Sequence, residues 1–252
     1  MDLGIKSKHI NMVKVSIVVP AFNEERLLGD SLRKMKLAAK AFENCGWETE
    51  LIVCDNNSTD RTAEIAREAG ATVVFEPINQ IARARNSGAA AATGDWIVFV
   101  DADSHPSEGL FSDVATAIKS GKCLAGGATI SLDQRHFFGG LITATWNFAS
   151  RWRRLLAGSF IFCDAEVFRK IGGFSEKMFA GEELELSQRM KQFAKKDGRR
   201  VVILHRHRLL TSARKLRLYT VREHFRLLFR LSKDRRTLGS REACHLWYDG
   251  RR

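Results

Sequence analysis

The sequence predicts an α/β fold in which a mainly parallel central sheet carries helices on both faces. Short apolar runs bounded by turn residues alternate with helical patterns in the N-terminal half, and this alternation is typical of βαβ units. The apolar runs are almost continuous rather than alternating in polarity, which indicates strands covered on both faces. A chain of 252 residues is long enough to bury its own core without disulfide or metal support.

Four strands are predicted in the N-terminal half: Val15–Val19, Glu50–Cys54, Ala71–Phe75 and Trp96–Val100. Three helices are predicted to connect them: Glu24–Phe42, Asp60–Glu68 and Ile81–Ala92. The second helix has Ser58 or Thr59 as its expected N-cap and Gly70 as its expected end.

In the C-terminal half, predicted strands and helices alternate less regularly. The predictions are a helix over Ser107–Ser120, a strand over Lys122–Ser131, an aromatic, partly basic stretch over His136–Leu156, a strand over Ser159–Asp164, helices over Glu166–Ile171 and Gly181–Lys195, a strand over Val201–Leu204, and a basic helix over Arg214–Leu231. We expect one domain over residues 1–210 and a basic helical C-terminal appendage over residues 211–252.

The positive charge is concentrated in the C-terminal quarter. The chain has a formal net charge of +12, yet residues 1–188 hold 21 basic and 24 acidic side chains, a net charge of −3. Residues 189–252 hold 20 basic and 5 acidic side chains, a net charge of +15. The apolar fraction of 44% excludes disorder of the whole chain.

The sequence contains no apolar run long enough to span a membrane. The longest candidate, Phe137–Ser150, is interrupted by glycines and polar residues, and it falls short of the roughly 20 residues that a spanning helix needs. The five cysteines lack metal-type spacing, and several lie in strand-like runs, so we expect free thiols in a reducing compartment. These features predict a cytoplasmic protein, at most attached to the inner face of a membrane.

Polar residues follow three of the predicted strands. The first strand leads into Asn23 and Glu24, the second into Asp55 and its neighbouring amides, and the fourth into Asp101-Ala-Asp103. Ligands of parallel sheets bind outside the carboxyl ends of the strands. Asp, Asn and Ser also favour caps and turns, but three such clusters at one sheet edge predict a binding site.

The sequence lacks the glycine loops that cradle phosphates in dinucleotide and P-loop proteins. A divalent metal is the alternative means of holding a diphosphate, and Asp101 and Asp103 supply the oxygen ligands that Mg²⁺ or Mn²⁺ prefers. Alternate residues of an extended segment share a face, so both carboxylates can address one site.

Several collinear motifs resemble the family 2 glycosyltransferases, which have the GT-A fold. They are Val15–Glu24, Asp55–Asp60, the A-R-N-x-G segment Ala84–Gly88, Gly94–Asp103, the turn Gly172–Phe174 and the acidic helix start Gly181–Leu186. The resemblance covers about residues 14–190 and implies a GT-A-type nucleotide-sugar transferase.

The resemblance also assigns donor-binding residues. It places the nucleoside pocket at the end of the first strand, with lining residues Pro20, Ala21, Asn23 and Glu24. Asp55 would accept a hydrogen bond from the base. Asp101, with Ala102, would address the ribose or the metal, and Asp103 would coordinate a Mg²⁺ or Mn²⁺ that bridges the diphosphate.

Two arginines are expected at the donor. Arg85 occupies the arginine position of the A-R-N-x-G motif, where it would orient the donor site, although a solvated helix charge is the alternative interpretation. Arg214 lies in a segment that resembles the stretch after the last core strand in a subset of these enzymes. Its guanidinium could close over the diphosphate with paired hydrogen bonds.

The acidic helix is expected to supply the catalytic base. The resemblance places Glu183 at the family's catalytic aspartate, with Glu182 as the alternative because the longer side chain changes the reach. The base would take the proton of the acceptor as it attacks the anomeric carbon with inversion. Glu185 precedes Arg189 by four residues, so a surface ion pair explains it.

A histidine after the last strand is a further candidate metal ligand. Some GT-A enzymes take a third ligand from this region, which favours His205 and leaves His207 as an alternative. A strand that ends in alternating basic residues explains the same histidines without a metal.

The acceptor is expected to be lipid-linked or close to a membrane, with peripheral membrane contact of the protein. Two basic and aromatic parts of the sequence suggest this membrane contact. One is the basic tail; the other is the stretch with Phe137, Phe138, Trp146, Phe148, Arg151, Trp152, Arg153 and Arg154. A nucleic-acid-binding protein that uses the basic quarter is the rival class, but it leaves the acidic clusters without a purpose, so no nucleic-acid partner is expected. A catalytically inactive nucleotide-sugar-binding module is the third possibility.

Overall fold

The computed structural model describes residues 12–134, 137–214 and 244, with the side chains of Phe137 and Phe138 left out. Its strands are β1 Lys14–Ala21, β2 Glu48–Asp55, β3 Thr72–Phe75, β4 Trp96–Val100, β5 Ser104–His105, β6 Cys123–Leu132, β7 Phe160–Asp164 and β8 Arg200–Thr211. Its helices are α1 Leu28–Glu43, α2 Thr62–Glu68, α3 Ile81–Ala91, α4 Glu108–Lys119, α5 Phe137–Arg153, α6 Ala165–Lys170 and α7 Glu182–Asp197.

The described strands form one sheet in the order β3-β2-β1-β4-β7-β6-β8-β5. The pairs among β1 to β4 are all parallel, which confirms the predicted βαβ rhythm. Strand β7 runs antiparallel to both of its neighbours, β4 and β6. Strands β4, β6 and β8 therefore point the same way, and their carboxyl ends lie at one edge of the sheet.

Apolar side chains cover both faces of the sheet, as the continuous apolar runs predicted. On one face Val98 and Val100 of β4 pack with residues of α1 and α4, including Leu32 and Phe111. On the other face Ile97 and Phe99 pack with residues of α3, α6 and α7. All of β4 is buried, so this strand forms the centre of the core.

The observed bounds correct three predictions. Helix α1 begins at Leu28 rather than Glu24, because Glu24 belongs to the turn after β1. Neither Ser58 nor Thr59 caps α2; the Asp60 side chain instead accepts a hydrogen bond from the Thr62 backbone N–H. Strand β8 continues to Thr211, seven residues beyond the predicted end at Leu204.

The extended β8 contains an irregular segment. From Leu204 to Leu209 it advances five residues while β6 advances only two, from Ala128 to Ile130. The extra residues leave the ladder as a bulge. The predicted domain boundary after residue 210 falls inside β8, and the basic helix predicted over Arg214–Leu231 lies outside the described residues apart from Arg214.

Gly88 shows why the A-R-N-x-G motif ends in glycine. Helix α3 crosses β1 so closely that a Cβ on Gly88 would lie 2.5 Å from Cγ1 of Val18. Gly88 and Val18 are both buried, so the added methyl group could be accommodated only by moving the helix off the sheet.

We expect Gly88→Ala to lower the free energy of unfolding by about 1–3 kcal/mol, because overpacking forces the backbone to shift. Urea denaturation measures the change. Gly140→Ala is the matched control, since Gly140 also lies in a helix but nothing stands within 4 Å of its would-be Cβ. The control should be neutral or stabilising by up to about 1 kcal/mol; equal losses in both variants would contradict the packing argument.

Candidate active site

The turns after β1 and β2 are joined into one unit. Asn23, at φ +51°, donates its backbone N–H to Ser58 Oγ at 3.0 Å, and its side-chain oxygen accepts the Thr59 N–H at 2.8 Å. The Asn56 N–H donates to the carbonyl of Ala21 at 2.8 Å. The two strand ends are therefore held side by side, as the sequence predicted.

The predicted nucleoside residues lie at this junction. Pro20 and Ala21 pair in register with Cys54 and Asp55. The Asp55 carboxylate is buried and accepts the Ser58 N–H at 3.1 Å, a turn that fixes the carboxylate at the sheet edge.

Glu24, Asp103 and Arg214 form a second cluster at the same edge. One guanidinium nitrogen of Arg214 donates to both carboxylate oxygens of Glu24, at 2.7 and 2.9 Å. The same nitrogen lies 3.9 Å from an Asp103 oxygen. The Ser212 N–H donates to the Asp103 carbonyl at 3.2 Å, so the chain just beyond β8 returns to the D-x-D segment. Ala102, between the two aspartates, is buried in the core.

Arg85 is a buried hub rather than a solvated helix charge. Only 2% of it is exposed. Its guanidinium donates to Glu182 at 2.5 Å, to Asp101 at 3.1 Å and to the Gly158 carbonyl at 2.9 Å. It also lies 5.2 Å from the ring centre of Phe174, a cation–π distance. One side chain thus ties α3 to the end of β4, to the segment before β7 and to the start of α7.

The neighbouring Asn86 secures the turn beside this hub. Its side-chain amide donates to the Phe174 carbonyl and its oxygen accepts the Phe174 N–H, both at 2.9 Å. Gly173 adopts φ +63°, and a Cβ there would lie 2.6 Å from the Asn86 oxygen. The A-R-N-x-G and G-G-F motifs are therefore two halves of one contact.

Two acidic residues begin α7 and differ in their surroundings. Glu182 is 3% exposed and is paired with Arg85. Glu183 is partly buried and lines a cavity of about 180 Å³ together with Arg85, Asp101 and Gly158. Burial, followed by the charge of Glu182, raises the pKa of the Glu183 carboxyl well above its usual range.

The C-terminal region approaches the same acids at one described point. Cys244 is buried, and burial together with the Glu182 charge raises the pKa of its thiol. The other four cysteines are also free thiols.

The structure does not bring His205 to the aspartates. His205 lies in the bulged segment of β8, three strands away from β4 in the sheet, because β8 does not end at Leu204. His207 contacts Asp113 of α4 at 2.9 Å. In the described part of the chain, no group of three or more His, Cys, Asp or Glu side chains could hold a metal ion.

Sequence reasoning missed Glu76, the acid at the end of β3. Glu76 is 5% exposed; its carboxylate accepts from the Ile78 N–H, from Arg83 Nε and from Ser87 Oγ. The signal was present, since Glu76 follows a predicted strand as Asp55 and Asp101 do. It was hidden because Glu-Pro reads as an ordinary turn.

The fold is that of the GT-A glycosyltransferases. It superposes on S. aureus TarS (residues 1–349) with a TM-score of 0.62 at 20% identity, over 81% of this chain and 61% of that one. It also superposes on the mannosyltransferase PcManGT from Pyrobaculum calidifontis, in complex with GDP-Man and Mn²⁺, with a TM-score of 0.61 at 19% identity, over 86% and 61% of the two chains. At these identities the likeness concerns the fold.

The family is established by sequence. The glycosyl transferase family 2 model matches residues 16–178, and the chain belongs to this family. The probable glycosyltransferase YdaM of Bacillus subtilis is 29% identical over 70% of this chain and 46% of its own length. The undecaprenyl-phosphate 4-deoxy-4-formamido-L-arabinose transferase of Pseudomonas fluorescens is 35% identical over 42% of this chain and 32% of its own length. The chain thus spans less than half of either relative.

We expect Arg85→Met to lower the free energy of unfolding by about 3–5 kcal/mol, because it leaves buried carboxylates without their countercharge. Chemical denaturation measures this loss. Adding Glu182→Gln to Arg85→Met should restore part of the stability, since it removes one stranded charge.

Arg33→Gln is the control for the loss of an arginine. Arg33 makes an exposed pair with Asp30, so its replacement should change stability by about 0.5 kcal/mol or less. A loss below about 1 kcal/mol for Arg85→Met would be inconsistent with a hub that carries the site.

Proposed function

We propose that the chain transfers a sugar from a nucleotide-sugar donor to an acceptor hydroxyl or phosphate, with inversion. The observation that carries the proposal is the meeting of Asp101, Arg85 and the two acids of α7 around one cavity, in a chain of glycosyl transferase family 2. TarS is crystallised with UDP-GlcNAc and PcManGT with GDP-Man; we propose a UDP- or GDP-sugar here, with UDP first.

The donor set fits a divalent cation that shares its coordination with a diphosphate. Asp101 and Asp103 provide two carboxylates, and Mg²⁺ is commonly held by one or two carboxylates plus substrate phosphates. Only one Asp101 oxygen is paired with Arg85, and Asp103 lies 3.9 Å from Arg214 without a closer partner in the described residues. We propose these two residues as the Mg²⁺ or Mn²⁺ ligands; such a cation would neutralise the charge that develops on the leaving diphosphate.

Glu183 is the proposed base. As the acceptor oxygen bonds to the anomeric carbon, its proton passes to the Glu183 carboxylate and the bond from that carbon to the nucleoside diphosphate breaks. A single displacement of this kind inverts the anomeric centre. Glu182 is the weaker candidate, because its carboxylate is already paired with Arg85. Arg85 acts as a positioning residue that orients both Asp101 and Glu182.

The remaining proposed donor-binding residues lie along the same edge of the sheet. The β1–β2 junction, with Asn23 and Asp55, is the proposed nucleoside pocket. Arg214 contacts Glu24, and we propose that it exchanges this contact for a diphosphate oxygen when the donor binds. No described helix has the length and apolar character needed to cross a membrane. Cytoplasmic location and contact with the inner face of a membrane remain part of the proposal.

Asp103→Asn tests the donor and metal site. In a thermal-shift panel of UDP- and GDP-sugars, the unchanged chain should gain about 2.7 kcal/mol at 100 times Kd when Mn²⁺ is present, which raises Tm by roughly 5–10 °C. Asp103→Asn should abolish the Mn²⁺-dependent part of this rise. Asp113→Asn, which alters a carboxylate paired with His207 on α4, should keep it. A Mn²⁺-dependent rise that survives Asp103→Asn would refute the metal assignment.

Glu183→Gln tests the base. Transfer should fall by about 10²–10⁴-fold, the usual contribution of a positioned base, while the Mn²⁺-dependent donor shift stays. Because the base acts deprotonated, the rate of the unchanged chain should rise with pH through the raised pKa of Glu183; the variant should lose this limb. Glu185→Gln, on the same helix and paired with Arg189, is the control and should retain transfer.

The same variant has a defined effect on stability. A carboxyl whose pKa is raised in the folded state binds more protons there than in the unfolded chain, so stability falls as pH rises from the ordinary pKa through the raised one. Glu183→Gln should remove this decline and equal or exceed the unchanged chain in stability above that window.

Donor binding without transfer in the unchanged chain would favour the inactive binding module.

A further inference from the structure

A second and larger cavity lies beside the proposed active site. It measures about 570 Å³ and opens between α5, the C-terminal part of β6 and the bulged middle of β8. Asn147 of α5 builds its floor: the side-chain amide donates to the Ile130 carbonyl and its oxygen accepts the Ile130 N–H, both at 2.9 Å. Ile130 lies beyond Gly127, the last β6 residue that pairs with β7, so the Asn147 amide makes hydrogen bonds that a neighbouring strand would otherwise make.

The lining of this cavity is cationic. Arg151 of α5 and His205 and Arg208 of the β8 bulge face it, and no Asp or Glu lines it. Within the described residues, neither arginine has a carboxylate within salt-bridge distance. In contrast, the arginines of the active site, Arg85 and Arg214, are both paired.

A buried hydroxyl in the lining has no partner. Thr129 is 3% exposed, and its Oγ1 makes no hydrogen bond in the described structure. Buried polar atoms are normally satisfied. Thr129 and two arginines that have no carboxylate partner among the described residues together favour an anion that brings several acceptor oxygens.

The cavity lies close to the proposed reacting centre. The Asp101 N–H donates to the carbonyl of Ser159, just before β7, at 3.2 Å. The pairing of β6 with β7 ends at Gly127 and Ile161, so Thr129 lies on β6 just beyond this pairing. Only β7 separates β4 from β6, and neighbouring strands are about 4.8 Å apart, so β6, which carries Thr129, lies roughly 10 Å from β4, which leads into Asp101. That distance lets an anionic group sit in the cavity while its own oxygen, or a hydroxyl a few bonds away, reaches the donor sugar.

We propose that this cavity binds a phosphate group of the acceptor, held by Arg151 and Arg208 with Thr129 as a further donor. The inference rests on the proposed transferase function and narrows the acceptor to a phosphate-bearing molecule. Arginine forms paired hydrogen bonds with phosphate. The phosphate could belong to a lipid or to a soluble acceptor.

Helix α5 distinguishes these sources by its exposed apolar residues. Phe148 at the cavity and Trp152 beyond it are 70% and 72% exposed, and Leu141 and Ile142 are also exposed. A lipid phosphate would place its chain against these residues, whereas a soluble phosphate would leave them unused.

The test measures binding of inorganic phosphate by calorimetry in EDTA. The full chain should bind phosphate, and Arg151→Gln/Arg208→Gln should weaken binding by at least 10-fold, since each charge-assisted bond lost is worth about that factor or more. Arg153→Gln/Arg200→Gln is matched in charge and in its location on α5 and β8 but lies outside the cavity lining, and it should bind as the full chain does. Thr129→Val should weaken binding a few-fold.

The outcomes separate the two proposals. Equal weakening in both double variants, or in neither, overturns the phosphate site. The Mn²⁺-dependent donor shift should be unchanged in both double variants, which also shows that they are folded. A chain that binds phosphate but shows no donor shift would instead count against the transferase proposal.

A second arm identifies the source of the phosphate. Glycerol 3-phosphate is compared with phosphatidylcholine vesicles that contain phosphatidic acid. Vesicle binding that requires both cavity arginines and is lost in Phe148→Ser/Trp152→Ser supports a lipid phosphate at this site. Glycerol 3-phosphate binding that requires the arginines but not the aromatic residues supports the site with a soluble acceptor. Vesicle binding that ignores the cavity arginines counts against the site.

Discussion

The buried guanidinium of Arg85 is the interaction on which the site depends. Burying an arginine is costly unless its donors are satisfied, and here the two terminal nitrogens meet Glu182, Asp101 and a backbone carbonyl from three separate segments. Only Nε has no hydrogen-bond partner among the described residues. The arrangement can form only when α3, the end of β4 and the start of α7 are all in place. Gly158 keeps this approach open, because a Cβ there would lie 3.0 Å from the guanidinium.

This cluster contains more carboxylates than cationic groups. Arg85 faces three carboxylates, those of Asp101, Glu182 and Glu183. Glu182 has the shortest contact with it, and Glu183 is left with burial and a like-charged neighbour. Its raised pKa is the consequence. Two adjacent acids thus acquire different properties: Glu182 is held in a salt bridge with Arg85, whereas Glu183 has a raised pKa, which suits a base.

The sequence predicted the parts of the molecule in which local pattern and tertiary structure agree. The bounds of β4 match because all five residues are apolar and buried, and the strand-end acids converge because parallel strands share an edge. The direction of β7 could not be read, since a short apolar run has no polarity of its own. His205 was expected near the metal because the last strand was predicted to end at Leu204, whereas β8 continues through a bulge that depends on pairing with β6. The second cavity could not be predicted from the sequence for a similar reason. Arg151 and Arg208 are far apart in the chain, and they line one cavity only because of this bulge.

Two neighbouring regions of the structure differ in whether their arginines are paired with carboxylates. At the ends of β1 and β4 the described arginines are already committed to carboxylates, so this edge suits an anion that arrives with a divalent cation. Between α5 and β8, Arg151 and Arg208 have no carboxylate partner among the described residues, so that cavity suits an anion without a metal. In the proposed reaction, two separate sites would keep the donor and an anionic acceptor from competing for the same countercharge. The separation follows from the fold, because β7 stands between β4 and β6 and keeps the carboxylates of one site from pairing with the arginines of the other.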